Sequence, residues 1–209
     1  MHMNFTDLSV DSVYIGNFEF SPDFPAILWG DVGGNASFSG LGRQADIDFK
    51  LENSDTLVID KMTLLMPVAL DTNIGKLSGA LRSQSNGAVI SLSSGCRSGG
   101  FNFTTTMFDD LFQQIGMTAP EISGRGVCEA GGMIDVNLAG QSDALELTIS
   151  GQVHSNQDWN APSFTLTAVV EPPRGRFFAD NVKQLFLTAG LSPVGRGYSL
   201  PLQTGRVGN

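Results

Sequence analysis

Cys96 and Cys128 are the two cysteines of this 209-residue chain, and each lies in a glycine-rich polar phrase, SSGCRSGG and GRGVCEAGG. Structural cysteines of reducing compartments usually sit in apolar runs. A pair in turn-like, exposed surroundings instead fits a disulfide made in an oxidising compartment. Joining them would close a loop of about thirty residues and stabilise the fold by roughly 3 kcal/mol. Two free thiols are the alternative. Metal ligation would have neither a CxxC spacing nor a histidine cluster behind it.

His154 follows an alternating run, with no serine, cysteine or carboxylate arranged near it to activate a nucleophile or relay a proton. It reads as a surface residue. Asp109 and Asp110 fall where a helix would begin, so they read as charge favouring its N-terminal dipole rather than as an acid/base or metal pair. The chain has no P-loop, no GxGxxG between strand and helix, no GxSxG and no HExxH. Gly124-Arg125-Gly126, Arg174-Gly175-Arg176 and Gly195-Arg196-Gly197 read as turns. As RNA-binding motifs they would be isolated in a chain of net charge −9, whose field repels phosphate backbones and acidic membrane surfaces. An enzyme would need carboxylates from distant strands to converge, as in glycoside hydrolysis, and two tryptophans offer little sugar platform. The expectation is a non-enzymatic domain with no catalytic, cofactor or metal residues and no nucleic-acid partner.

The elements carrying these residues alternate with period two. Ile47, Phe49 and Leu51 interleave with Asp46, Asp48 and Lys50, and Ile134, Val136 and Leu138 with Asp135 and Asn137. Leu145, Leu147, Ile149 and Phe164, Leu166, Ala168, Val170 repeat the pattern, as do Leu57/Ile59 and Ile90/Leu92 more weakly. Half-buried strands with one wet face pair antiparallel. Two segments switch to helical spacing: Phe108, Leu111, Phe112, Ile115 and Val182, Leu185, Phe186, Ala189. Thr105 or Thr106 would cap the first and Asp180 the second, with Gly116 and Gly190 as the left-handed residues that end them.

The expected fold is mainly β, an antiparallel curved sheet of ten or more strands with two short helices; open curl, sandwich and partial barrel are alternatives. Residues 4–209 read as one domain, with a candidate internal repeat around 101–140 and 164–205. Each copy runs from a strand through a helix and a Gly-rich stretch to another strand. Met1-His2-Met3 looks like an expression scar, so the expectation is that a native start, with a membrane anchor, preceded it. No stretch of eighteen apolar residues is present. The early aromatics (Phe5, Tyr14, Phe18, Phe20, Phe24, Trp29) are expected in the core, with a turn at Gly33-Gly34.

Four features together resemble the type II secretion system protein N family, also called general secretion pathway protein N. They are Ile27-Leu28-Trp29-Gly30 with the glycine-rich run after it; the cysteine pair; Gly131-Gly132 through Gly140 continuing to Gly151; and Leu185 to Gly190 followed by Gly197-Tyr198-Ser199-Leu200 and Thr204-Gly205. The resemblance implies the periplasmic domain of an inner-membrane protein in a Gram-negative bacterium, anchored by a helix absent here. Its role would be an accessory one in protein secretion, made through contacts to protein C, the secretin or the envelope, without catalysis. The alternative is a periplasmic lipid-carrier-like domain binding an apolar ligand, and whether the apolar face of the sheet is filled or empty separates the two.

Overall fold

The computed structural model describes residues 3–10, 13–23, 32–72, 75–114, 116–154 and 163–203. Among them the alternating runs form fifteen strands of one antiparallel sheet. In chain order these are β1 (Met3–Val10), β2 (Val13–Pro22), β3 (Val32–Gly40), β4 (Arg43–Leu51), β5 (Thr56–Thr72), β6 (Gly75–Ser85), β7 (Ala88–Ser91), β8 (Gly95–Ser98), β9 (Gly100–Thr105), β10 (Ile122–Glu129), β11 (Met133–Gln141), β12 (Glu146–His154), β13 (Ser163–Glu171), β14 (Ser192–Val194) and β15 (Gly197–Gln203). Helix α1 (Asp109–Gln114) joins β9 to β10, and α2 (Asp180–Thr188) joins β13 to β14. The sheet runs from β1 to β6, steps to β9, continues to β13 and ends on β15 and β14, so it is an open curl with two edges rather than a barrel or sandwich. The hairpin β7–β8 branches off this path, because the long β5 pairs β7 through Thr56–Ile59 and β6 through Met62–Thr72.

Period two becomes two faces. Phe18, Phe38, Ala45, Leu64, Ser83, Phe103, Gly124, Leu138, Ile149, Ala168 and Leu200 stand opposite one another across successive strands. The neighbouring row, on the other face, is Glu19, Ser37, Asp46, Thr63, Gln84, Asn102, Arg125, Asn137, Ser150, Thr167 and Pro201. One register therefore sets an apolar row against a polar one over eleven strands, and a slip of one residue in any strand would exchange them.

The helices lie on the apolar face. Phe108 just before α1, Phe112 from α1 and Phe186 from α2 join Leu138, Leu147, Ile149, Ala168 and Leu200 in one buried cluster. Phe178, just before α2, meets Phe186 edge to face at 5.1 Å between ring centroids and Tyr198 at 6.2 Å. Gly116 (φ 72°) and Gly190 (φ 83°) follow the two helices in the left-handed region.

The N-caps differ from expectation. Thr105 Oγ1 donates to the carbonyl of Ala80 at 3.0 Å, and Thr106 Oγ1 accepts from the Ala80 N–H at 3.0 Å. Both threonines thus tie the start of α1 to β6. The N-cap of α2 is Ala179, with no side-chain bond, while Asp180 sits one position inside and pairs with Lys183 at 2.8 Å. Two glycine pairs also differ. Gly33 and Gly34 lie within β3, and the turn is at Leu41-Gly42. Gly124-Arg125-Gly126 lies within β10, because a Cβ on Gly126 would stand 2.6 Å from the Phe103 ring and one on Gly124 2.1 Å from the Asn137 carbonyl oxygen. The other two Gly/Arg phrases do form turns, at Arg174-Gly175 and Gly195-Arg196. The aromatic passage Phe24 to Gly30, Ile115 and Thr204-Gly205 lie outside the described residues. Phe18 and Phe20 are half-buried.

Candidate functional site

Cys96 in β8 and Cys128 in β10 form a disulfide, with Cα atoms 5.4 Å apart and a sequence separation of 32. The surroundings are not exposed as the sequence led us to expect. Cys96 is 1% and Cys128 9% accessible, packed with Ile59, Ala88 and Phe101 in a second small core. The nearby glycines serve the backbone instead: Gly95 and Gly99 have φ of 82° and 93°. In the main path β8 has no place, and it pairs with β7 alone. The bridge fastens the β7–β8 hairpin onto β10, helped by the Cys128 N–H, which donates to the Gly99 carbonyl at 3.1 Å. A buried disulfide of this kind is structural, and such bonds persist in oxidising compartments.

The loop between β7 and β8 is held by Asp55. Its carboxylate accepts from Ser91 Oγ at 2.7 Å and from the Ser93 N–H at 2.9 Å. Hydrogen bonds from the Ser91 and then the Ser93 side chain hold its pKa below the usual aspartate value. Asp109 is pushed the other way, first by burial and then by the neighbouring Asp110, whose Oδ2 accepts from Ser78 Oγ at 3.2 Å. These two acids serve the junction of α1 with β6. His154 ends β12 opposite Met133 and Ser163 and is half-buried rather than on the open surface.

The apolar face divides into two parts. Beneath α1 and α2 the space left between helices and sheet is a cavity of about 30 Å³, lined by Phe108, Phe112, Leu147, Val170, Phe186 and Leu200 among others. That is room for a water at most. Toward β2–β5, Phe20, Phe38, Ile47, Phe49 and Met62 are half-buried, and the Phe20 and Phe49 rings stack with centroids 6.1 Å apart.

The polar face carries an open cleft of about 480 Å³ across β2–β6, whose lining includes Glu19, Gln44, Asp46, Thr63, Arg82 and Gln84. Neighbouring amides orient its acids: Asn4 Nδ2 donates to Glu19 Oε1 at 3.1 Å, and Asn35 Nδ2 donates to Asp46 and Asp48 at 3.2 and 3.0 Å. Glu19 and Asp46 stand in one row with Ser37 between them, so their backbones are about 9–10 Å apart, two strand spacings.

The two edges are unlike. β14 is three residues long and contains Pro193, which supplies no N–H to a further strand. β1 has eight residues without proline and, among the described residues, pairs only with β2, regularly from Met3 to Phe5 and with register shifts around Leu8. Shortness and proline are devices that stop an edge from recruiting another chain, and a bulge is a milder one. Comparison of the chain with protein-family models, with curated proteins and with solved structures finds no match.

Proposed function

We propose that this is a non-enzymatic structural domain acting through protein–protein contacts in an oxidising compartment. The observation that carries the reading is the filling of the apolar face by α1 and α2, which leaves a cavity of about 30 Å³. A carrier of lipid-sized ligands needs a chamber of several hundred cubic ångströms. The mode of contact that suits this sheet is strand addition, in which main-chain hydrogen bonds extend an exposed edge. β1 is the edge less protected against it. The residues that resemble protein N favour the type II secretion machinery as the setting, the periplasm as the compartment, and protein C or the secretin as partners.

The test is hydrogen exchange of the domain with and without the periplasmic parts of protein C and of the secretin. Slowed exchange of β1 amides in the complex is the expected result. Binding that protects other segments and leaves β1 unchanged would remove strand addition, and absence of binding to either partner would remove the secretion setting.

A second reading, a domain that binds an apolar ligand, draws on the half-buried Phe20, Phe38, Ile47, Phe49 and Met62 on β2–β5, which the helices do not reach. Native mass spectrometry of the purified domain separates the readings, because co-purified lipid would favour this one.

A further inference from the structure

The polar cleft across β2–β6 presents its side chains as an ordered array. One row runs Asn17, Ser39, Gln44, Leu65 and Arg82 over the five strands. A second, two residues away on every strand and therefore on the same face, runs Glu19, Ser37, Asp46, Thr63 and Gln84. Neighbours within a row are about 4.8 Å apart, the rows stand about 6–7 Å from each other, and the array is ~19 Å wide. Six of these ten side chains are neutral amides or hydroxyls and three are charged, so the array is polar without being strongly charged. Phe38 and Ala45, which also line the cleft, belong to the apolar row.

The acids of the array already have donors, since Asn4 Nδ2 gives to Glu19 and Asn35 Nδ2 to Asp46. Ser37, Gln44, Thr63, Arg82 and Gln84 make no side-chain hydrogen bond among the described residues. Hydroxyls and amides both donate and accept, so what the cleft holds out is a mixed set of donors and acceptors. The volume of about 480 Å³ is within the range of sites that take a bound ligand, about 300–1,000 Å³.

We propose that the cleft binds an uncharged glycan, a chain of pyranose rings laid across β2–β6 with its hydroxyls meeting both rows. A sugar hydroxyl donates and accepts as the serines, threonines and amides do. Linked rings advance by about one strand spacing, roughly 5 Å, so successive rings meet successive strands. Other partners fit less well. Protein contacts are anchored by aromatic residues at their centre, and neither row contains one. Nucleic acid needs an excess of positive charge, where the array has two acids to one arginine and the chain a net charge of −9. A basic peptide would face Arg82 and two acids already held by asparagines. With no ring to stack on, affinity rests on hydrogen bonds, so a chain repeating the contact over several strands binds where a single sugar does not.

Glycan binding on this face is independent of strand addition at β1, so each holds or fails alone. The domain is titrated by calorimetry, at low and high salt, with three hexasaccharides. Cellohexaose carries hydroxyls alone, N-acetylchitohexaose carries acetamido groups as well, and hexagalacturonate adds a carboxylate to each ring. Binding is expected to at least one of the neutral hexamers, unchanged by salt, and to be weaker for hexagalacturonate. The tighter of the neutral two identifies the ring substituent that the cleft reads. Gln44→Ala and Gln84→Ala should each weaken binding about fivefold, and Arg82→Ala, which removes a charged donor, more than about tenfold. Asn137→Ala, in the second row but beyond the cleft, should leave binding unchanged. All four residues are exposed, so thermal midpoints should stay at the wild-type value and lost binding is not lost folding. No binding to either neutral hexamer, or a loss with Asn137→Ala equal to that of the cleft variants, overturns the proposal. Tighter, salt-sensitive binding to hexagalacturonate or to a Lys-rich peptide overturns it in favour of a charged partner.

Discussion

Replacing both cysteines, Cys96→Ala with Cys128→Ala, isolates what the bridge contributes. The sequence separation is 32, and the loop-closure relation gives about 3–4 kcal/mol for a loop of that length. For a chain of this size each kcal/mol moves the thermal midpoint about 2–4 °C, so a fall of about 6–16 °C is expected. The double variant should also show a steeper dependence on urea, because its unfolded chain is no longer cross-linked and exposes more surface. The location of the effect is equally specific. β7 keeps its pairing to β5 from Thr56–Ser91 to Ile59–Ala88, while β8 pairs with β7 alone. Without the bridge, amides of β8 should therefore exchange faster before the rest of the sheet opens. The assay is urea unfolding followed by circular dichroism, with hydrogen exchange read by mass spectrometry. An unfolding free energy within about 1 kcal/mol of the oxidised wild type, or exchange that rises evenly over the sheet, would refute the picture of a bridge that clamps the hairpin to β10.

Three further perturbations test other parts of the structure. Ser83 Oγ is the one buried side-chain polar atom without a hydrogen-bond partner among the described residues, so Ser83→Ala should raise stability by about 1–3 kcal/mol in urea titration. Gly126→Ala places a Cβ 2.6 Å from Phe103 and 2.9 Å from Ile134 and should cost about 1–3 kcal/mol as overpacking, measured the same way. Asp109 has a pKa raised above 3.8 by burial and by Asp110, so the folded state holds its proton to higher pH than the unfolded chain. Its contribution to stability is present below the unfolded value and lost as pH rises through the folded one. Asp109→Asn should accordingly be more stable than wild type at neutral pH, with the difference closing below pH 3.8.

Elements whose signal is local were legible in the sequence. Ile47, Phe49 and Leu51 in β4, and Val136 and Leu138 in β11, alternate because each strand has one wet face, and Phe108 and Phe112 repeat at helical spacing because α1 has one dry side. Glycine was ambiguous. In Gly33-Gly34 and Gly124-Arg125-Gly126 it serves close approach of a neighbouring strand or ring, which depends on partners far along the chain such as Phe49 and Asn137. For the same reason the caps were misread, since Thr105 and Thr106 are claimed by Ala80 across the sheet. Polar neighbours suggested exposed cysteines, yet burial was decided by Ile59, Ala88 and Phe101 from other strands. Openness of the sheet had no signal in any single segment, because it depends on whether the first and last strands meet after thirteen strands of accumulated twist.

The division between faces is the physical argument behind the proposed contact function. A catalytic site sets polar groups in a place that excludes water, where their charges are weakly screened. In this sheet the larger water-excluding place among the described residues is the apolar face under α1 and α2, and the residues lining its cavity, Phe108, Leu147, Val170, Phe186 and Leu200 among them, are apolar. The acids and amides are on the opposite face, in a cleft open to solvent across β2–β6. Strict alternation over eleven strands produces that separation, since the register that dries one row wets the next. With the dry side under α1 and α2 filled by packing and the polar side open to solvent, the main chain of the β1 edge keeps unmet hydrogen-bonding potential among the described residues. An exposed main-chain edge can take another strand. Strand addition at that edge is the mode of contact on which the proposed function rests.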